Sequence, residues 1–160
     1  MEVFFMKMEG NTGIGNILKK FLQICFCLGI VVVIIIPFAL QQLGLNIKIS
    51  AIIAYPNGII LLIIMHNFIK LFDSIKNNNP FCEENIQILK WTSIVSLVGA
   101  ILWLIDILLK FLIDSKLDVV FVLTLVFLFI LFIGVSIALY ILSELFKKAT
   151  EYKKENELTI

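Results

Sequence analysis

The stretch VVFVLTLVFLFILFIGVSIALYILS, residues 119–143, decides the fold class of this chain. It contains no charged side chain and is apolar nearly throughout. A helix needs about 20 mostly apolar residues to cross the roughly 30 Å of hydrocarbon in a lipid bilayer. This stretch therefore predicts a membrane-spanning helix.

The rest of the chain shares this character. Of its 160 residues, 61% are hydrophobic and 16% are charged, whereas a soluble domain is about half apolar and a quarter charged. Because so short a chain leaves much of its surface exposed, the apolar excess must face lipid. The composition also excludes a disordered chain, a collagen-like chain and a disulfide scaffold. The net charge of +1 gives no reason to expect direct nucleic-acid binding.

Three further segments are long and apolar enough to span the bilayer, at residues 21–40, 51–72 and 91–113. The second is the weakest, because Pro56-Asn57-Gly58 and His66-Asn67 interrupt it. The first has the positive flank of a signal peptide. Its apolar core is longer, however, and no small-x-small cleavage site follows it, so we expect it to be retained.

The lysines predict the orientation. Four spans place ten of the 13 lysines on one side of the membrane, whereas omitting the second span gives eight against five. Lysine is retained on the cytoplasmic side, so we predict a multi-pass protein of the bacterial inner membrane with both termini inside. The expected fold is all-α: a single membrane domain of four transmembrane helices in a bundle, with cytoplasmic segments at residues 1–20, 73–90 and 144–160.

Helical spacing continues beyond the lipid on the cytoplasmic side. The second helix is expected to project as far as Lys76, and Pro80 suits the first position of the third helix after a cap at Asn79. Glu83 and Glu84 then lie near the positive end of the helix dipole. The pattern predicts a helical hairpin whose tip stands in the cytoplasm.

Two other segments outside the spans have a recognisable pattern. After residue 143 the fourth helix continues as an amphipathic helix, which could pack on the hairpin, lie on anionic lipid or present a groove to a partner. On the outer side, apolar and polar residues alternate from Leu45 to Ser50, which predicts an extended piece at the membrane interface.

Asp106 is the one acid well inside an apolar run, and such a residue is a functional candidate by default. Lys110 lies one helical turn later, at a spacing suited to an ion pair. Both are near the outer end of the third span. An intramembrane Asp106–Lys110 ion pair is therefore favoured over a proton or ion site.

No pattern of catalytic or metal-binding residues emerges. His66 is the only histidine, and zinc sites generally recruit three or four protein ligands. The Gly10–Gly15 segment lacks the Lys-Ser/Thr of a phosphate loop. Cys25, Cys27 and Cys82 are interpreted as apolar packing residues. We therefore expect no enzyme activity, no cofactor and no metal.

Small residues predict close helix contacts at Ser96-x-x-x-Ala100 in the third span and at Gly134-x-x-x-Ala138 in the fourth. Packing within one bundle explains both motifs, and formation of a homo-oligomer explains them equally well.

Two segments on the expected cytoplasmic side carry a family resemblance. LFDSIKNNNPFCEENIQIL, residues 71–89, contains Pro-Phe-x-x-x-Asn, and FKKATEYKKENELTI, residues 146–160, ends in Glu-x-x-Leu-Thr-Ile. With four apolar spans, the chain resembles over essentially its whole length the bacterial membrane family known as domain of unknown function 2975. One departure is Ala149, where many members carry Gly, which bears on helix geometry rather than function.

The resemblance implies no biochemical activity, since the family is uncharacterised. Members are often encoded beside a small helix-turn-helix regulator of the Cro/repressor type, which implies by association a cytosolic partner of that kind. The expected function is thus that of a non-enzymatic regulatory or scaffold protein. The expected partner-binding residues all lie in the two motif segments: Pro80, Phe81, Glu84, Asn85, Leu89, Phe146, Glu155, Leu158, Thr159 and Ile160.

The alternative function belongs to another class. A small transporter, channel or immunity-type protein would act within the bilayer. It would require a polar cavity lined by Gln23, Thr124, Ser136 or Asp106.

Overall fold

The computed structural model describes residues 12–40, 45–76, 80–113 and 119–158. They form four α-helices: α1 (Thr12–Leu40), α2 (Leu45–Lys76), α3 (Glu83–Ile113) and α4 (Val119–Leu158). Each helix contains a stretch long and apolar enough to cross a membrane. The prediction of an all-α membrane protein with four spanning helices is therefore confirmed.

Consecutive helices run antiparallel, and each packs on the next along the chain. The largest interface lies between α3 and α4, α2 packs on α3, and α1 packs on α2. Three interhelical hydrogen bonds fix the relative heights of the helices: Lys19 to Asp73, Asn67 to Thr92, and Ser136 to the carbonyl of Ser93. The start of α1 and the end of α4 thus lie at the same end of the bundle, called here the lysine-rich end.

Helices α2, α3 and α4 form a three-helix core with a regular contact pattern. Buried and half-buried positions recur in alternating steps of three and four residues, the 3.5-residue period of left-handed helix bundles. The positions are 57, 60, 64, 67, 71 and 74 in α2; 85, 89, 92, 96, 99, 103 and 106 in α3; and 125, 129, 132, 136, 139, 143, 146 and 150 in α4.

Helix α1 is peripheral. Its most apolar stretch, Asn16–Ile35, has no buried residue. It approaches α2 closely at two glycines: a Cβ atom at Gly29 would lie 2.8 Å from Leu62 Cδ2, and one at Gly58 would lie 3.1 Å from Val33 Cγ2. Much of the remaining surface of α1 is exposed and apolar.

Exposed basic and aromatic side chains lie at one level around the bundle. The hydrogen bonds above place five of them within about one helical turn of each other: Lys20, Lys70, Lys90, Trp91 and Tyr140. Lysine and aromatic residues together are typical of a membrane–water interface. Beyond this level, residues 141–158 add about 27 Å of α4 helix.

Most predictions about the helix extensions are confirmed. α2 reaches Lys76, Glu83 and Glu84 lie in the first turn of α3, and α4 continues to Leu158. The extended piece at Leu45–Ser50 was wrong, because this segment is the start of α2. A helix satisfies its backbone hydrogen bonds internally, as an apolar environment requires.

The predicted start of α3 at Pro80 was also wrong, because the helix begins at Glu83. The Pro80 carbonyl instead accepts a hydrogen bond of 2.8 Å from the side-chain amide of Asn85. The Cys82 carbonyl accepts the first backbone hydrogen bond of the helix, 3.3 Å from Ile86 N. The predicted cap, Asn79, lies outside the described residues.

Candidate functional site

The helix ends at the lysine-rich end pack into a compact unit, called here the end cap: residues 71–76 of α2, 80–90 around the start of α3, and 141–158 of α4. Leu71, Leu89 and Leu139 are buried at its base. Four partly buried apolar side chains pack against them: Phe68, Val135, Leu142 and Phe146. The end cap is thus a continuation of the three-helix core beyond the interface level.

A buried amide fixes the turn between α2 and α3. Asn85 Nδ2 donates one hydrogen bond to Ser74 Oγ at 2.7 Å and another to the Pro80 carbonyl at 2.8 Å. The Asn85 side chain is almost completely buried, where an amide without partners would be costly. Asn85 of the Pro-Phe-x-x-x-Asn motif therefore ties both sides of the turn together.

The C-terminal extension of α4 packs on this turn. The rings of Phe81 and Phe146 lie 5.2 Å apart between centroids. Lys154 Nζ donates a hydrogen bond of 2.7 Å to Glu83 Oε1, in an exposed ion pair. The amphipathic extension therefore packs on the hairpin, which is one of the three possibilities that the sequence left open.

The expected partner-binding residues divide into buried and accessible ones. Asn85 and Leu89 are buried, so they hold the end cap in shape. Pro80 and Phe146 are half-buried. Phe81, Glu84 and Glu155 are exposed. Leu158 is the last residue of α4, and Thr159 and Ile160 lie outside the described residues.

Polar side chains also lie in the interior of the spanning region, where hydrogen bonds join the three core helices. Asn67 Nδ2 donates to Thr92 Oγ1 at 2.9 Å, and Ser136 Oγ donates to the Ser93 carbonyl at 2.8 Å. One turn further, Ser96 Oγ donates to the Phe132 carbonyl at 2.9 Å. Such hydrogen bonds hold membrane helices together at about 0.6 kcal/mol each.

Beyond Ser96 the interior is first apolar and then polar again. Ile60, Ile64, Ala100 and Phe132 first form an apolar cluster across α2, α3 and α4. Polar groups then return. Asn57 is 3% exposed, and among the described residues neither atom of its amide has a hydrogen-bond partner.

Two more polar groups follow Asn57 toward the far end of α3. The indole nitrogen of Trp103 is buried and has no hydrogen-bond partner in the part of the chain that the structure describes. Asp106, one turn on, is 1% exposed. Lys110 Nζ lies 4.9 Å from the centroid of the Phe121 ring. The Asp106–Lys110 ion pair stays a prediction.

The residues expected to line a transport cavity do not come together. Gln23 and Thr124 are exposed on the outside of the bundle, whereas Ser136 and Asp106 are buried at well-separated heights. A cavity of about 10 Å³, room for about one water molecule, lies instead beside Asn67. Its other lining residues are Phe68, Leu71, Ile88, Leu89, Thr92 and Leu139.

The two small-residue motifs have different surroundings. Ser96 and Ala100 are buried in the three-helix core, so packing within the bundle explains them. Gly134 and Ala138 are exposed, and a Cβ atom at Gly134 would meet nothing within 4 Å. Packing among the described residues therefore does not explain the second motif.

Sequence reasoning missed the polar interior of the core. The signal was present in α3, where Asn85, Thr92, Ser96, Trp103 and Asp106 follow the 3.5-residue spacing of the buried face. No group of three or more His, Cys, Asp or Glu residues that could hold a metal ion occurs within the four described segments.

Four apolar helices with a polar interior define a multi-pass helical membrane protein. Within this class, residues 16–160 match the model of one family, described as a protein of unknown function (DUF2975). The match covers nearly the whole chain, which belongs to this family, so the resemblance seen in the sequence is confirmed. No curated protein and no solved structure shows significant similarity to the chain.

Proposed function

We propose that the chain is a non-enzymatic regulatory or scaffold protein of the bacterial inner membrane, which binds a cytosolic protein through its end cap. The observation that carries this proposal is the end cap itself, a folded unit that stands beyond the interface level. In this proposal the lysine-rich end faces the cytoplasm, because lysines are retained there.

The surface of the end cap offers apolar anchors. Phe81 is 41% exposed at the turn, and Leu145 and Tyr152 are 57% and 66% exposed on the extension of α4. Aromatic side chains are enriched among the residues that contribute most to protein–protein binding. Their exposure beyond the interface level supports a protein partner at this surface.

The partner we propose is a small helix-turn-helix regulator. The support for this choice is the genetic association that the family resemblance implies, not a contact. Holding such a regulator at the membrane, or relaying a membrane state to it, requires a docking surface on the cytoplasmic side. The exposed residues Phe81, Glu84 and Glu155 and the terminal residues 158–160 are the proposed contacts.

Photocrosslinking in cells tests the proposal. A photoreactive amino acid at Tyr152 should crosslink to a soluble protein. The same amino acid at Phe127 of α4, which is exposed to a similar degree within the apolar stretch, should not. A second test compares the proteins captured by the full chain and by a chain ending at Tyr152. Identical adducts at both positions, or identical captured proteins, would contradict the proposal.

The alternative, a small transporter, channel or immunity-type protein, is favoured by one observation. The buried residues Asn57 and Asp106 and the buried indole nitrogen of Trp103 lie on one side of the apolar cluster. The Asn67–Thr92 hydrogen bond lies on the other side. Proteoliposome flux that falls in Asn57→Leu and Asp106→Asn, but not in Gln23→Leu on the lipid-facing surface, would support this function.

A further inference from the structure

The pair of helices α1 and α2 has an unbalanced charge. Residues 12–40 and 45–76 contain five lysines but only one acid, Asp73. Asp73 accepts a hydrogen bond from Lys19 in an ion pair between the two helices. Its charge is therefore already compensated, and the other lysines of the pair have no acid on either helix.

The contacts between α1 and α2 fix which residues share a height. Lys19 contacts Asp73, and the ring of Phe26 lies 6.0 Å from that of His66, centroid to centroid. Both contacts give the same antiparallel register. In this register Gln23 is level with Ile69, and Lys20 is level with Phe72. Lys20, Gln23 and Lys70 therefore lie within about one helical turn of each other.

These three residues also lie on the same side of the helix pair. Gln23 is four residues after Lys19 and three before Phe26, and Lys70 is four residues after His66 and three before Asp73. The contact line of each helix is the direction midway between its two contact residues, which faces the other helix. At 100° per residue, Gln23 and Lys70 are rotated from the contact lines of their helices by about 50° in the same sense, and Lys20 is rotated by about 100°. On facing antiparallel helices, rotations of the same sense lead to the same side.

The side chains on this side are available for a ligand. Lys20, Gln23 and Lys70 are exposed, and so is His66, which lies on the contact line one helical turn from Lys70. Neither Lys20 nor Lys70 forms an ion pair within the described ranges. The exposed apolar residues Ile30 and Ile63 follow on the same side, further from the lysine-rich end. Two lysines, an amide and an imidazole thus stand beside an apolar surface at the interface level.

We propose that this surface, defined by Lys20, Gln23, His66 and Lys70, binds the phosphate group of an anionic phospholipid. The ammonium groups attract the phosphate, Gln23 and His66 donate hydrogen bonds, and the acyl chains lie along Ile30 and Ile63. The retention of lysines on one side of the membrane accounts equally for Lys90 and Lys148. It does not account for two lysines that lie at similar heights, with a hydrogen-bond donor, on one side of a helix pair.

Native mass spectrometry of the purified full chain tests this site. The probes are phosphatidylglycerol and phosphatidylcholine with the same acyl chains. The site variant is Lys20→Gln with Lys70→Gln, and the matched control is Lys90→Gln with Lys148→Gln, which removes two exposed lysines of α3 and α4. We expect the site variant to bind phosphatidylglycerol about thirtyfold less tightly than the wild type. The control and the binding of phosphatidylcholine should change little.

A third variant covers the case in which the site variant does not fold. Gln23→Glu keeps both lysines and places a carboxylate between them, so it should also weaken binding of phosphatidylglycerol. Equal losses in the site variant and the control, or unchanged binding in the site variant and in Gln23→Glu, would overturn the proposal. Tight binding of inorganic phosphate that displaces phosphatidylglycerol would assign the surface to a free anion and overturn the lipid as its ligand.

Discussion

Replacing Gly99 by alanine tests how tightly the three-helix core is packed. A Cβ atom at this position would lie 2.6 Å from Cδ1 and Cε1 of Phe132 and 3.1 Å from Oδ1 of Asn57. Phe132 is buried in the apolar cluster, so its ring has little room to move. Overpacking of this kind costs about 1–3 kcal/mol.

The matched control is Gly134→Ala, where the added methyl group meets nothing within 4 Å. Both substitutions remove the helix penalty of glycine, which is worth about 1 kcal/mol. This gain cancels when the two variants are compared. The free energy of unfolding of Gly99→Ala should therefore be lower than that of Gly134→Ala by about 1–3 kcal/mol.

Unfolding in mixed micelles, followed by far-ultraviolet circular dichroism as the fraction of dodecyl sulfate increases, measures both free energies. Adding Phe132→Leu to Gly99→Ala shortens the opposing side chain and should recover part of the loss, so the double-mutant cycle should show a favourable coupling. Equal stability of Gly99→Ala and Gly134→Ala would refute the close contact between α3 and α4 at this level.

Three further predictions use the same unfolding measurement. Ser96→Ala removes the hydrogen bond to the Phe132 carbonyl and should cost about 0.6 kcal/mol; a cost several times larger would show that the hydroxyl has another role. Leu89→Ala opens a cavity at the base of the end cap and should cost about 2–5 kcal/mol; a loss below 1 kcal/mol would contradict the packing there. Asp106→Asn should leave membrane insertion and the fold intact, as judged by protease protection and by the unfolding transition, and complete loss of folded protein would contradict this.

The sequence predicts the spanning helices and their continuation beyond the lipid, because both depend on local patterns. Apolar length identifies each span, and three- and four-residue spacing extends α2 to Lys76 and α4 to Leu158. The start of α3 was misplaced, because proline is compatible with the first helical position but does not by itself start a helix there. Here the side chain of Asn85, five residues later, binds the Pro80 carbonyl.

The candidate site was only partly predictable, because its contacts join residues far apart in the chain. The Phe81–Phe146 contact depends on the relative heights of α3 and α4, which no local pattern reveals. The polar interior escaped notice for another reason. Residues such as Thr92 and Ser96 are too weakly polar to interrupt an apolar span, so a hydropathy pattern does not distinguish them from their apolar neighbours.

The unbroken course of α4 through the interface level has a mechanical consequence. Residues 141–158 continue the same helix for about 27 Å. This segment therefore moves together with the membrane-spanning part of α4. Spanning helices adjust their tilt to the thickness of the lipid around them. A change of 10° in the tilt of α4 relative to α3 would move the far end of α4 sideways by about 5 Å and Lys154 by about 4 Å, which would lengthen the 2.7 Å contact between Lys154 and Glu83. A change in bilayer thickness would thereby displace the C-terminal end of α4 at the lysine-rich end of the bundle.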